Sequence, residues 1–377
     1  MTTHAADVDV QRDALAAMER LCANDANNAK LGEAGACERL AESMRAHVSS
    51  AAIQQQALRA IAQLGKNVAN RVKLGEAGVC DLLAERMREH APDALRAVVT
   101  LGKGSANRSK LGEAGVCKLV MRALTMHAYD AEVRWHAIQA IARLGENDAN
   151  KVKLGEAGAC GHLIDGMRTI AVATHMIIIG AVGTLCENDA NNAKFGEAGA
   201  CERLVLFMRG HSGSATIEQE ALAVRVMTKL GKNSLNNAKL GEARACELVA
   251  DLMWLHVADV GVQRHVLKAV AMLAENDANN AKLGEAGACG LLVESMRAHA
   301  DDAAVQAFAL CAIETFGRDG ANRVELGQAG VCEVLVHAMR ACAGHAVRLA
   351  AVVRAIAVLS RNDANSARLG LLLSQPQ

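Results

Sequence analysis

Aromatic side chains are close to absent: four Phe, two Trp and one Tyr make up 2% of 377 residues. With 51% of the chain apolar, the core must be built from Ala, Leu, Val and Met. The same shortage removes the stacking platforms on which single-stranded nucleic acid usually lies. Proline occurs only at Pro92 and Pro376, so long helices run uninterrupted. Net charge is also missing, because Lys plus Arg and Asp plus Glu number 41 each. Bulk charge therefore predicts no polyanionic partner, and any partner signal lies in where the charges sit. The opening MTTHAADVDVQRDAL lacks the basic start and apolar run of a secretion signal. The longest apolar stretch, around Met176 to Cys186, is too short to span a bilayer. A cytoplasmic location follows as the expectation, with the nucleus as the alternative and no membrane partner. Catalytic motifs are missing as well: there is no HExxH, no CxxC and no nucleophile elbow. Gly102-Lys103-Gly104-Ser105 has neither the spacing nor the preceding strand of a phosphate loop. No enzymatic activity, no metal and no cofactor are expected.

What the chain does have is one phrase, NDANNAKLGEAGACERL from Asn24 to Leu40, repeated with small changes. Its glycine falls at Gly32, Gly75, Gly112, Gly155, Gly196, Gly241, Gly284, Gly327 and Gly370, at intervals of 43, 37, 43, 41, 45, 43, 43 and 43. A period in the low forties marks a stacked helical array, in which no unit buries its apolar side alone. Repeats fall at 24–66, 67–103, 104–146, 147–187, 188–232, 233–275, 276–318 and 319–361, with partial repeats at 1–23 and 362–377. The expectation is a single repeat domain over the whole chain.

Each unit splits into three helices. The first, about Asp25 to Ala34, is capped by Asn24 or Asp25 and broken by Gly35. The second, Ala36 to His47, carries Cys37, Leu40, Ala41 and Met44 on one stripe. The third, roughly Ala51 to Leu64, buries Ile53, Ala57, Ala60, Ile61 and Leu64, a pattern that recurs from Val133 and from Val262. In the 37-residue unit six residues are missing, and Pro92 in a first turn predicts a third helix shortened to about Asp93–Leu101. Neither end shows a polar capping unit, so end-to-end self-association is a further expectation.

Eight of twelve cysteines recur at one place: Cys37, Cys80, Cys117, Cys160, Cys201, Cys246, Cys289 and Cys332. Equivalent positions on stacked helices lie about 8–10 Å apart, too far for a bridge. They read as buried, reduced thiols. The asparagine five residues before each glycine, from Asn27 to Asn365, reads as a backbone-bonding group near the inter-repeat turn. The histidines closing six second helices lack a second ligand nearby and suit a helix C-terminus.

Asn27, Leu31, Gly35, the run Cys37-Glu38-Arg39-Leu40, and Ile53-Gln54 through Ala57 to Leu64 together resemble the armadillo repeat. The resemblance covers roughly residues 8–370. It implies an all-α, right-handed superhelix of about eight to nine three-helix repeats. It also implies a protein-binding scaffold that holds an extended peptide on a groove lined by third helices. The Trp and Asn arrays of importin-alpha-like members are missing, because those places hold residues such as Arg59, Gln139, Lys268 and Gln63.

The groove residues follow from counting back one, five and nine places from the last core residue of each third helix. These positions hold Arg12, Arg20, Arg59, Arg96, Arg143, Arg225, Lys229, Arg264, Lys268 and Arg354, with Gln63, Gln139 and Trp135 among the others. None of them, three per helix over nine helices, is Asp or Glu. A basic groove attracts carboxylates and phosphates, which predicts an acidic or phosphorylated peptide partner. Nucleic acid in the same groove is the second, less favoured reading. The units around Gly180 and Cys311 offer a neutral groove. Trp135 is the candidate anchor on the groove, and Trp254 marks a contact on the opposite side.

Overall fold

In a computed structural model, residues 3–169, 172–211, 216–341 and 345–375 are described. They form 26 helices and, among the described residues, no strand. The chain divides into two compact units, Met1–Lys194 and Phe195–Gln377. Each unit is an all-α solenoid of three-helix repeats, as the periodicity predicts.

The repeated phrase divides its labour between two asparagines. In the first full repeat, Oδ1 of Asn24 accepts the Asn27 N–H at 3.0 Å and starts the short helix Asp25–Glu33. Gly35, with φ of 79°, then turns the chain into the second helix Ala36–Ala46. Arg244 holds the same left-handed place in one repeat, at φ 68°, where a side chain is strained.

The second asparagine couples neighbouring repeats. Asn70 donates through Nδ2 to the carbonyl of Asn28 at 2.7 Å, in the preceding short helix. Asn107, Asn150 and Asn191 do the same to Arg71, Arg108 and Lys151 at 2.8, 2.8 and 2.9 Å. In the second unit Asn279 and Asn322 reach Asn237 and Asn280, each at 2.8 Å. Each amide lies against the glycine of the repeat before it. A Cβ on Gly32 would stand 1.5 Å from Oδ1 of Asn70, and one on Gly112 would stand 1.7 Å from that of Asn150. The asparagine therefore bonds backbone, as its recurrence suggests. Its target is the preceding short helix, and the first asparagine serves the helix start.

A lysine three residues further on strengthens the joint. Lys73 donates to the Gly32 carbonyl at 2.7 Å and Lys110 to that of Gly75 at 2.8 Å. Lys239 and Lys282 do so for Gly196 and Gly241. A cation on the last carbonyls of a helix also suits the helix dipole.

Third helices are tied to second helices by their own first turn. Ile53, Val133, Val262 and Val305, each the third residue of its helix, are fully buried or nearly so. The next residue, Gln54, donates through Nε2 to the carbonyls of Met44 and His47, both at 2.8 Å. Gln263 and Gln306 repeat the staple on Met253 and His256 and on Met296 and His299.

The 37-residue repeat differs from expectation in where it is shortened. Its third helix, Ala91–Leu101, has 11 residues where others have 14. Its second helix, Val79–Arg86, has 8 where others have 11. The loss is shared because both helices must still meet across the turn at His90, with Pro92 in the first turn of the second of them.

All eight recurring cysteines are free and buried. Several donate weakly to the carbonyl of the next repeat's asparagine, such as Cys37 to Asn70 and Cys201 to Asn236, both at 3.6 Å. Burial pushes the thiols of Cys37, Cys80 and Cys201 up to about 12. Thiolate is the reactive form, so these side chains are inert in the folded chain. Iodoacetamide at neutral pH is expected to label exposed Cys311 well ahead of the eight. Peptide mass mapping before and after addition of guanidinium checks this, and early labelling at Cys201 would contradict it.

Candidate interaction face

The third helices lie side by side within each unit and carry the residues that the sequence assigns to a groove. In the first unit most of these cations meet carboxylates. Arg12 pairs with Asp9 and Asp13 at 2.9 and 3.0 Å. Arg59 reaches Asp93 at 3.3 Å, and Gln55 donates to the other oxygen of that carboxylate at 3.1 Å. Arg96 contacts Asp93 at 3.9 Å and Glu132 at 2.5 Å. Arg143 pairs with Glu146 at 3.1 Å. Arg20 is exposed and has no ion pair among the described residues.

This is a zipper of alternating charge, and it narrows the uniformly basic groove that the sequence predicts. The acids were missed because they occupy other places on the helix. Asp93 and Glu132 sit in the first turn of the next third helix, and Asp302 is an N-cap. First-turn acids opposite the mid-helix arginines of the preceding repeat are the signal that finds them.

Trp135 is 37% exposed, on the helix Ala131–Leu144. Beside it, burial and then Arg96 push the imidazole of His136 down, with its side-chain hydrogen bond to Gln139 acting the other way. The side chains of Gln63 and Gln139 are half-buried. Trp254 is 68% exposed on a second helix. It takes the place of Arg45 and Arg209, which donate to the next repeat's backbone at Ala77 and Arg244.

The second unit is different. Arg264 makes a two-pronged pair with Asp302, one contact at 3.1 Å, and holds that carboxyl well below its usual range. Arg354 pairs with Glu314 at 3.0 Å. On the preceding third helix, Ile217–Leu230, Arg225 is exposed with no ion pair among the described residues. Lys268, on Val260–Leu273, has its ammonium 5.7 Å from the Phe308 ring and no carboxylate partner among the described residues. Lys229 is half-buried. His265 registers the excess of charge: burial, then Arg225, Lys268 and Arg264, push its imidazole below the ordinary value. Among the described residues Arg225, Arg264 and Lys268 have one ion-paired carboxylate, Asp302, so this patch carries surplus positive charge. It is where the third-helix face is most ready to receive an anion.

Among the described residues no group of three or more His, Cys, Asp or Glu is arranged to hold a metal, and no helix is long and apolar enough to cross a membrane. The second-helix histidines serve backbone: Nε2 of His47 lies 2.7 Å from the Ala5 carbonyl, and that of His299 lies 2.7 Å from Val257.

No protein-family model matches the sequence, and no curated protein matches it. Solved structures match the fold. An engineered protein superposes with a TM-score of 0.82 at 20% identity, covering 94% of this chain and 86% of its own. A structure from work on a phosphorylation switch controlling the interaction between cadherin and beta-catenin gives a TM-score of 0.82 at 14% identity, over 96% of this chain and 72% of the other. A designed armadillo repeat protein, 26% identical, gives 0.55 over 63% of this chain and 99% of its own. The fold is an armadillo-like solenoid.

Proposed function

We propose that this armadillo-like solenoid is a non-enzymatic scaffold whose third-helix face holds an extended acidic or phosphorylated segment of another protein. The observation that carries the reading is the surplus of cations at Arg225, Arg264 and Lys268, opposite one carboxylate. Arginine and lysine left without internal partners gain most from a carboxylate or phosphate brought in by a ligand. The zippered part of the face, from Arg59 to Glu132, offers both signs and Trp135 beside them. Within the first unit this stretch suits neutral and apolar ligand side chains.

The test is a fluorescence-anisotropy titration of acidic and phosphorylated peptide pools, with single-stranded RNA in parallel, at low and physiological salt. The peptides are expected to saturate a site and to weaken only moderately with salt. RNA binding with a steep salt slope and no competition by peptide would replace this reading with the nucleic-acid one.

A further inference from the structure

The last repeat lacks both contacts that seat the third helices Ala51–Leu64, Val260–Leu273 and Ala303–Phe316. Where Ile53, Val133, Val262 and Val305 plug the core, the helix Ala346–Leu359 presents Arg348, which is exposed. Where Gln54, Gln263 and Gln306 staple two carbonyls of the second helix, it presents Leu349, which cannot donate. The first turns of this helix therefore lack the staple to the second helix of their own repeat, Val331–Ala341. Val347 beside Arg348 is 86% exposed.

The result is a cleft of about 1100 Å³ inside the second unit. The second and third helices of two successive repeats bound it. Its apolar wall includes Met296, Leu310, Val334 and Val352, with alanines filling much of the remainder. This volume is slightly above the range of small-molecule sites, which are mostly apolar with a few placed polar groups.

Charge selects among ligands. Six titratable side chains line the cleft: Arg297, Asp301, Glu333, His337, Arg348 and Arg354. Arg354 is taken by Glu314 and Glu333 by Arg368. Arg297, Arg348 and Asp301 have no ion pair among the described residues, which leaves two cations against one anion. Arg348 sits where the plug is missing, so its guanidinium is at the cleft itself.

We propose that this cleft binds a small amphipathic monoanion, its apolar body against Leu310 and Val352 and its acid group on Arg348. The cleft shares Arg354 with the third-helix face, but Glu314 holds that side chain, and Arg348 is not among the residues proposed to receive peptide.

The probe is 8-anilinonaphthalene-1-sulfonate, an apolar ring system with one anion, titrated into the full chain and displaced with dodecanoate. One saturable site per chain is expected, with dodecanoate displacing the probe at least tenfold better than dodecyltrimethylammonium. Arg348→Gln keeps the cleft and removes the charge, and is expected to weaken binding about tenfold. Arg348→Val restores the core plug and is expected to abolish the site while raising the thermal midpoint, with near-ultraviolet circular dichroism confirming native packing. Unchanged binding in Arg348→Val overturns the proposal, as does equal displacement by the cationic detergent. Sedimentation showing that a second copy of the chain fills the cleft and excludes the probe would overturn it too.

Discussion

Gly112→Ala is expected to lower the stability of the chain by about 2–4 kcal/mol, although alanine is the better helix former. A methyl there would lie 1.7 Å from Oδ1 of Asn150, whose side chain is almost fully buried. The amide has no room to yield without losing its 2.8 Å bond to the Arg108 carbonyl. Overpacking a filled site costs about 1–3 kcal/mol, and orphaning a buried amide costs a similar amount. The helix propensity gained, about 1 kcal/mol, offsets only part. Gly161→Ala is the matched control, since a Cβ there meets nothing within 4 Å. It is expected to stabilise by about 0.4–1 kcal/mol. Urea denaturation of the two variants therefore yields opposite signs for the same chemical change. The double variant Gly112→Ala/Asn150→Ala is expected to cost less than the sum of its parts, because removing the amide makes room for the methyl. Additive costs would mean that the two side chains do not press on each other.

Reversing Arg225 and Lys268 to Glu is expected to weaken acidic-peptide binding by roughly tenfold or more, while leaving the fold intact. Neither side chain pairs with a carboxylate among the described residues, so no ion pair seen there is lost. Reversal at Arg59 and Arg96 is expected to do less for binding and more for stability, because both are engaged with Asp93. The contrast separates a ligand-facing cation from one used to bind repeats together. Equal binding by the Arg225→Glu/Lys268→Glu variant and the parent would move the ligand off this patch.

The period of the glycines made the solenoid legible, because each glycine from Gly32 to Gly327 packs against an asparagine of the next repeat. The stripe from Ile53 to Leu64 made the third helices legible for the same reason: every turn returns an apolar residue to one side. The shortening at Pro92 was legible in amount and not in distribution. Counting along one helix says nothing of how two helices share a loss across a turn. The basic face was half legible. Arginines at fixed places on each helix were visible, and their partners were not, since Asp93, Glu132 and Asp302 approach from the start of the next helix. Arg348 was readable all along, as an arginine aligned with Val305, for anyone comparing the last repeat with the one before.

His265 reports directly on what occupies the second unit's patch. In the free chain its imidazole titrates below the ordinary 6.5, held down by burial and by Arg225, Lys268 and Arg264. The folded chain then binds fewer protons than the unfolded one below that value, so acidification from pH 7 through the window beneath 6.5 lowers stability. A carboxylate or phosphate bound among those cations compensates them and favours the protonated ring. The deciding measurement is the titration of the His265 ring by NMR, without and with a saturating phosphopeptide. A midpoint that rises on binding is the predicted result. Saturation with the midpoint unmoved would place the ligand elsewhere and contradict the assignment of this face.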